Sequence, residues 1–151
     1  MDIKEKKLIY DYCFQFLKEN EVLFTKELAE LTSGAENDSK SSSGDKHETA
    51  RAMMQLEHEK ISRQKELITA QIELLNRIDL STNAVKIALG SFVKTDHGSF
   101  FISVPIGKIQ VDKLTCYVIS PQSPLGVQLL SARIGETIEL NGNRFKILSF
   151  C

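Results

Sequence analysis

Asp45 and Glu48 are the residues whose types and spacing best suit chemistry. They stand three apart in Gly44-Asp45-Lys46-His47-Glu48-Thr49-Ala50, where small polar residues give way to a segment rich in helix formers. Positions three apart share a helix face. Two carboxylates so placed offer hard oxygen ligands to a divalent cation. The same spacing is also a way to start a helix. An acid at the N-cap with Glu three residues on resembles a capping box, and acids in a first turn complement the helix dipole. The two roles compete, because a carboxylate saturated by backbone N–H groups is a poorer metal ligand. Glu36 and Asp38 read as solvated loop charges that add negative potential near the pair. His47 is close enough in sequence to carry a proton, yet His47, His58 and His97 lack metal-ligand spacing and read as exposed side chains. No nucleophile–base arrangement, P-loop or dinucleotide fingerprint is present.

The elements that would position the pair are two helices. From about Ile3 to Leu31, apolar Ile9, Tyr12, Cys13, Phe16, Leu23, Leu28 and Leu31 recur at three- and four-residue steps. From about Asp45 to Ile78, Met54, Ile61, Ile68, Ile72 and Leu75 make one stripe, flanked by Met53, Leu67, Leu74 and Ile78. Helices of this length bury their stripes by lying antiparallel as a coiled coil. At about 1.5 Å per residue the expected rod is roughly 40–50 Å long. Residues 32–44, TSGAENDSKSSSG, read as a mobile loop at its end. Lys60, Arg63 and Lys65 offer a basic face that RNA could follow, but Glu57, Glu59 and Glu66 are interspersed, as on an ordinary salt-bridge-laced surface.

After Leu80 the texture changes. AVKIALGSFVKTD, GSFFISVPIG, KLTCYVIS, ETIEL and NRFKILSF read as strands, with turns at Asp96-His97-Gly98, Ile106-Gly107 and Asn141-Gly142-Asn143. Ser123-Pro124 predicts an N-cap with Pro at the first helical position. The short helix would pack Val127, Leu129 and Leu130 on the sheet and exit at Ile134-Gly135. Phe92, Phe100, Phe101, Phe145 and Phe150 are expected in the core. The fold class is therefore α+β: an antiparallel helical coiled coil over residues 1–79, with a tip loop at 32–48, then a small antiparallel sheet domain over 80–151.

Charge divides the same way. Residues 1–79 carry 12 Lys and Arg against 16 Asp and Glu, and residues 80–151 carry 7 against 4. Neither half is basic enough to predict duplex DNA binding. No apolar run reaches membrane-spanning length, and the N-terminal stretch lacks a signal-peptide pattern. Cys13, Cys116 and Cys151 have no metal-ligand spacing and read as free thiols in a reducing cytoplasm.

This order of parts resembles the bacterial Gre transcript-cleavage factors, a family of transcription elongation factors. Gly44-Asp45-x-x-Glu48-x-Ala50 is similar to the family's tip sequence. Ser123-Pro124-Leu125-Gly126, Leu129-Leu130 and Ile134-Gly135-Glu136-Thr137-Ile138 are similar to its C-terminal run, and Arg144-Phe145-Lys146-Ile147-Leu148 to its closing strand. The resemblance implies an FKBP-like C-terminal domain that binds RNA polymerase, and a coiled coil that reaches its active site. Asp45 and Glu48 would there help hold a second Mg²⁺ near the nascent RNA 3′ end, and the polymerase would cleave its own backtracked transcript. The chain would be a monomeric cytoplasmic accessory factor, not an enzyme alone, binding no cofactor by itself and no membrane. Where family members follow the Glu with Asn-Ala-Glu-Tyr, this chain has Thr49-Ala50-Arg51-Ala52. Arg51 would neutralise a tip carboxylate, contact phosphate, or be a plain solvated residue. That departure motivates an alternative, a channel-binding regulator without cleavage stimulation. A third reading is a coiled-coil interaction module whose acids are only caps. The FKBP-like fold also raises prolyl isomerisation, but the chain has no Trp to help line the aromatic pocket it needs.

Overall fold

The computed structural model describes residues 2–38, 44–82 and 84–151, with side chains described for 3–34, 48–82 and 84–151. A long N-terminal hairpin of two helices, α1 (Asp2–Asp38) and α2 (Gly44–Asn76), precedes a six-stranded sheet and one short helix. The strands are β1 (Phe92–Thr95), β2 (Gly98–Ile102), β3 (Gly107–Val111), β4 (Leu114–Ile119), β5 (Thr137–Leu140) and β6 (Asn143–Phe150), with α3 (Pro124–Leu130) between β4 and β5. The class is α+β, as expected.

The chain forms two compact units. One is Phe16–Ile72; the other joins Met1–Gln15 to Glu73–Cys151. The division thus falls inside both long helices.

In the helical unit, Leu17, Ile61 and Ile72 are buried. Thr69 Oγ1 donates to Glu21 Oε2 at 3.2 Å, and Gly34 lies against the end of Met54. Residue numbers rise along one helix as they fall along the other, so the pair is antiparallel. The α2 stripe is as predicted, with Met54 and Ile68 half-buried around the fully buried positions. The α1 stripe is corrected. Leu17, Phe24, Leu28 and Leu31 turn inward, while Phe16 and Leu23 are exposed. A three-residue step from Cys13 reaches Phe16 and a four-residue step reaches Leu17; the helical period of 3.6 averages to the second course.

The expected loop also begins later. α1 continues through Thr32, Ser33 and Gly34 to Asp38. Two local features reconcile that turn-like composition with a helix. Thr32 Oγ1 donates to the Leu28 carbonyl at 2.9 Å, which occupies its hydroxyl within the helix. A Cβ at Gly34 would come within 3.0 Å of Met54 Cε, so the absent side chain is what lets the helices approach. The remainder of the expected loop, residues 39–43, lies outside the described residues.

In the other unit the sheet order is β3-β4-β2-β1-β6-β5. Every neighbouring pair is antiparallel except β2 and β4, which are parallel. The sequence reading missed β3. The chain leaves β2, runs out as edge strand β3, and returns through Asp112 (φ 55°) as β4 beside β2. The expected strand over residues 84–91 does not form; Gly90 turns there at φ +89°, where a Cβ would strike Ile78.

Both faces of the sheet are buried. Val93, Phe100, Ile102, Ile138 and Ile147 form one core with Ile87 and with Leu129 and Ala132 from the α3 region. Phe92, Phe101, Cys116 and Val118 alternate to the opposite face and are also buried. On that face Glu5 of α1 pairs with Lys94 at 2.6 Å. Between the helices, Tyr10 Oη donates to the Leu75 carbonyl at 2.9 Å. Burial pushes the Cys13 and Cys116 thiols up to about 12, and Cys13 itself adds to the shift at Cys116. α3 starts as predicted: Ser123 Oγ caps it by accepting from the Gly126 N–H at 3.1 Å, with Pro124 in the first turn. Leu129 is buried and Leu130 packs against the core, but Val127, expected inside, is exposed.

Candidate functional site

The predicted carboxylate pair sits at the start of α2. The helix begins at Gly44, so Asp45 stands inside its first turn and not at the cap position ahead of it. Its side chain, with those of Glu36, Asp38 and His47, lies outside the described residues. Glu48, a turn further on, is exposed. It lines a cavity of about 500 Å³ with Leu31 and Thr32 of α1 and Arg51, Ala52, Met54, Gln55 and His58 of α2. Leu31, Ala52 and Met54 supply apolar wall. Glu48, Arg51 and His58, the ionisable members, recur at helical spacing along α2.

An exposed carboxylate with no ion pair among the described contacts is a fitting donor for a weakly held Mg²⁺, which accepts one or two carboxylates and keeps several waters. Arg51 works against that fit. Arg51 lines the same cavity, and a nearby cation lowers the affinity of carboxylates for another cation. Among the described residues no group of three or more His, Cys, Asp or Glu gathers as a metal cage. Lys60 and Arg63 are exposed, and Lys65 is half-buried.

A second cavity, which sequence reasoning missed, lies in the sheet unit. It measures about 670 Å³ and is lined by His97, Phe100, Tyr117, Leu125, Gly142, Asn143, Arg144 and Phe145. The β1–β2 turn supplies His97. The register between β1 and β6 breaks after Lys94, and Asp96 repairs the break: its carboxylate Oδ1 accepts the Lys146 N–H at 2.8 Å, while its own N–H donates to the Lys146 carbonyl at 3.1 Å. The same oxygen meets His97 Nδ1 at 3.0 Å. The Lys146 N–H, then the His97 bond, hold the Asp96 carboxyl below its usual range. The His97 ring sits edge-on to Phe145 at 6.1 Å. Phe100 stacks with Tyr117 at 5.5 Å and meets Phe145 edge-on at 5.6 Å. The tight β5–β6 turn, Asn141-Gly142 with φ of 52° and 82°, brings Asn143 and Arg144 to the rim. The turns and the aromatic residues were each legible in the sequence. Their convergence was not, because it depends on β6 pairing with β1 and β4 with β2.

No helix among the described residues is long and apolar enough to cross a membrane. No protein-family model matches the chain, and no curated protein matches it. Among solved structures it is similar to one described as the structure of the transcription factor Gfh1, at 20% identity, covering 93% of this chain and 92% of that chain, with a TM-score of 0.34. A likeness this loose carries no function across.

Proposed function

We propose that the chain is a cytoplasmic RNA polymerase accessory factor of the Gre type, monomeric and without catalysis of its own. The observation that carries this reading is the joint occurrence of two features. Exposed Glu48 stands one turn from Asp45 at the start of the second helix of an antiparallel hairpin. A sheet domain follows, with a helix opened by Ser123-Pro124, in the order the sequence resemblance requires. The sheet domain would grip the polymerase and the hairpin would enter toward its active centre. Glu48 and Asp45 would supply carboxylate oxygens to a Mg²⁺ that the polymerase mainly holds. That ion would polarise the scissile phosphate and activate water when bound. The hairpin's part is positioning: a packed pair of helices holds the carboxylates with less conformational freedom than a loop would.

Arg51 favours a second reading, in which the factor occupies the polymerase without stimulating cleavage. It places a positive charge in the cavity that Glu48 lines. One assay separates the two. Purified core polymerase is stalled in a backtracked complex, and transcript shortening is followed with and without the chain. Cleavage that is lost in Glu48→Ala and Asp45→Ala, with polymerase binding retained, supports stimulation. Binding that slows cleavage, relieved by Arg51→Glu, supports the regulator. Failure of the full chain to co-purify with polymerase would remove both.

A further inference from the structure

We propose that the cavity between the β1–β2 turn, β4, the start of α3 and the β5–β6 hairpin binds a small aromatic anion, a planar ring bearing a phosphate or a carboxylate. This stands apart from the polymerase reading and uses none of its residues. The volume of about 670 Å³ falls within the roughly 300–1,000 Å³ of small-molecule pockets, which combine apolar walls with a few convergent polar groups. Here the walls are Phe100, Tyr117, Leu125 and Phe145. Tyr117 already stacks on Phe100, and a ligand ring would extend that offset-stacked or edge-on aromatic cluster.

The polar lining is His97, Asn143 and Arg144, with no acid among the lining residues; the acids Asp96 and Glu139 contact His97 Nδ1 and Arg144 Nε. The ion pair of Arg144 with Glu139 is long, 3.7 Å through Nε, which leaves the two Nη groups to take an anion end-on. His97 is exposed, and an exposed histidine in a two-residue turn ordinarily needs no anchoring. This one is fixed at Nδ1 by Asp96, itself fixed by the Lys146 N–H. The nitrogen left for a ligand is Nε2, which donates to an anion when the ring is protonated. The polar groups converge from two turns into a concavity, which suits a compact ligand more than a flat protein surface.

The test is a titration of the ¹⁵N-labelled full chain, followed by amide shifts, with adenosine 5′-monophosphate and separately with 4-hydroxybenzoate. Saturable shifts at His97, Asn143, Arg144 and Phe145 are expected from at least one. A response to the nucleotide alone assigns a phosphate source, and a response to the benzoate alone a carboxylate source. Adenosine and inorganic phosphate, each by itself, are expected to bind at least about tenfold more weakly, because each lacks half of the recognition. Arg144→Gln is expected to weaken binding about tenfold or more; the side chain is 76% exposed, so the fold should survive. Tyr117→Leu is expected to weaken it through the ring. The proposal is overturned if neither anion saturates in the millimolar range, if the shifts saturate elsewhere, if Arg144→Gln binds as tightly as the parent chain, or if only a proline-containing peptide occupies the cavity.

Discussion

The corrected face of α1 makes a sharp prediction. Leu17 is 1% exposed and Phe16 is 39% exposed, although the sequence pattern favours Phe16 as the core residue. Leu17→Ala removes a fully buried side chain, for which truncations cost about 2–5 kcal/mol; about 3 kcal/mol is the central expectation. Phe16→Ala removes a larger side chain that is only part-buried, and Ala gains about half a kcal/mol of helix propensity over Phe. The net cost should be about 1 kcal/mol. For a chain of 151 residues, at about 2.1 cal/mol/K of unfolding entropy per residue, 1 kcal/mol moves Tm by about 3 °C. Leu17→Ala should therefore lower Tm by about 9 °C and Phe16→Ala by about 3 °C, read as helical circular dichroism against temperature. Urea titration should show a lower midpoint with an unchanged m-value, since the surface exposed on unfolding is nearly the same. Equal losses, or a larger loss at Phe16, would refute the packing. Such a result would require α1 to be rotated by about 100°, one residue's turn of the helix, bringing Tyr12, Phe16 and Leu23 inward.

Three further perturbations test the sheet unit. Gly126→Ala should destabilise by about 1–3 kcal/mol, because a Cβ there meets the Ser120 carbonyl and the Ser123 hydroxyl, whereas Ser123→Ala should cost about 1 kcal/mol through the lost cap alone; thermal melts of the two variants check the order. Cys13 and Cys116 titrate at about 12 when folded, above their ordinary value of 9. Their contribution to stability is thus complete below pH 9 and falls as pH rises toward 12, by at most about 1.4 kcal/mol per pH unit for each thiol; denaturation at stepped alkaline pH should show this slope, and Cys13→Ala/Cys116→Ala should flatten it. The Asp96 carboxyl is depressed by the Lys146 N–H and His97, so its contribution is present above the ordinary carboxylate range and is lost as pH falls through the lowered value. A carboxyl ¹³C titration should place the Asp96 midpoint below that of a free aspartate, and Asp96→Asn should remove that part of the acid slope.

Long-range periodicity made the helices legible, and local turn chemistry made several strand ends legible. Residues 54, 61, 68 and 75 repeat an apolar type over three heptad steps, a signal that short-range accidents cannot erase. The Ser123-Pro124 cap and the Asn141-Gly142 turn are fixed by a few adjacent residues, and both form where expected. Illegibility began where a local signal conflicted with a distant contact. Thr32-Ser33-Gly34 reads as a turn on its own, yet Gly34 serves the approach of Met54, a partner twenty positions away. β3 buries only Ile109, so its alternation is too weak to stand out, and its existence depends on the edge it borrows from β4. The parallel pairing of β2 with β4 follows from that excursion and has no signature of its own.

The same distinction governs the candidate sites. Asp45 and Glu48 were found by spacing because one helix carries both. For such a pair the sequence specifies the separation but not the electrostatic setting. Arg51 is only three residues from Glu48, so its place beside that carboxylate also follows from helical spacing. Thr32 and Leu31, which line the same cavity from α1, are brought there by the pairing of the helices and by no spacing on α2. The sheet cavity is the opposite case. Its chemistry is built from His97, Tyr117 and Arg144, which no spacing rule links, and the link is Asp96 bonding across to the Lys146 N–H where the β1–β6 register breaks. If the Asp96 side chain is what holds the imidazole, Asp96→Ala, which removes the shared acceptor Oδ1, should leave the sheet folded while freeing the His97 ring. Loss of the ring contact between His97 and Phe145 in proton–proton NMR, with the β1–β6 cross-strand contacts intact, is the expected result. Loss of both together would mean that the carboxylate holds the strand register and not the histidine.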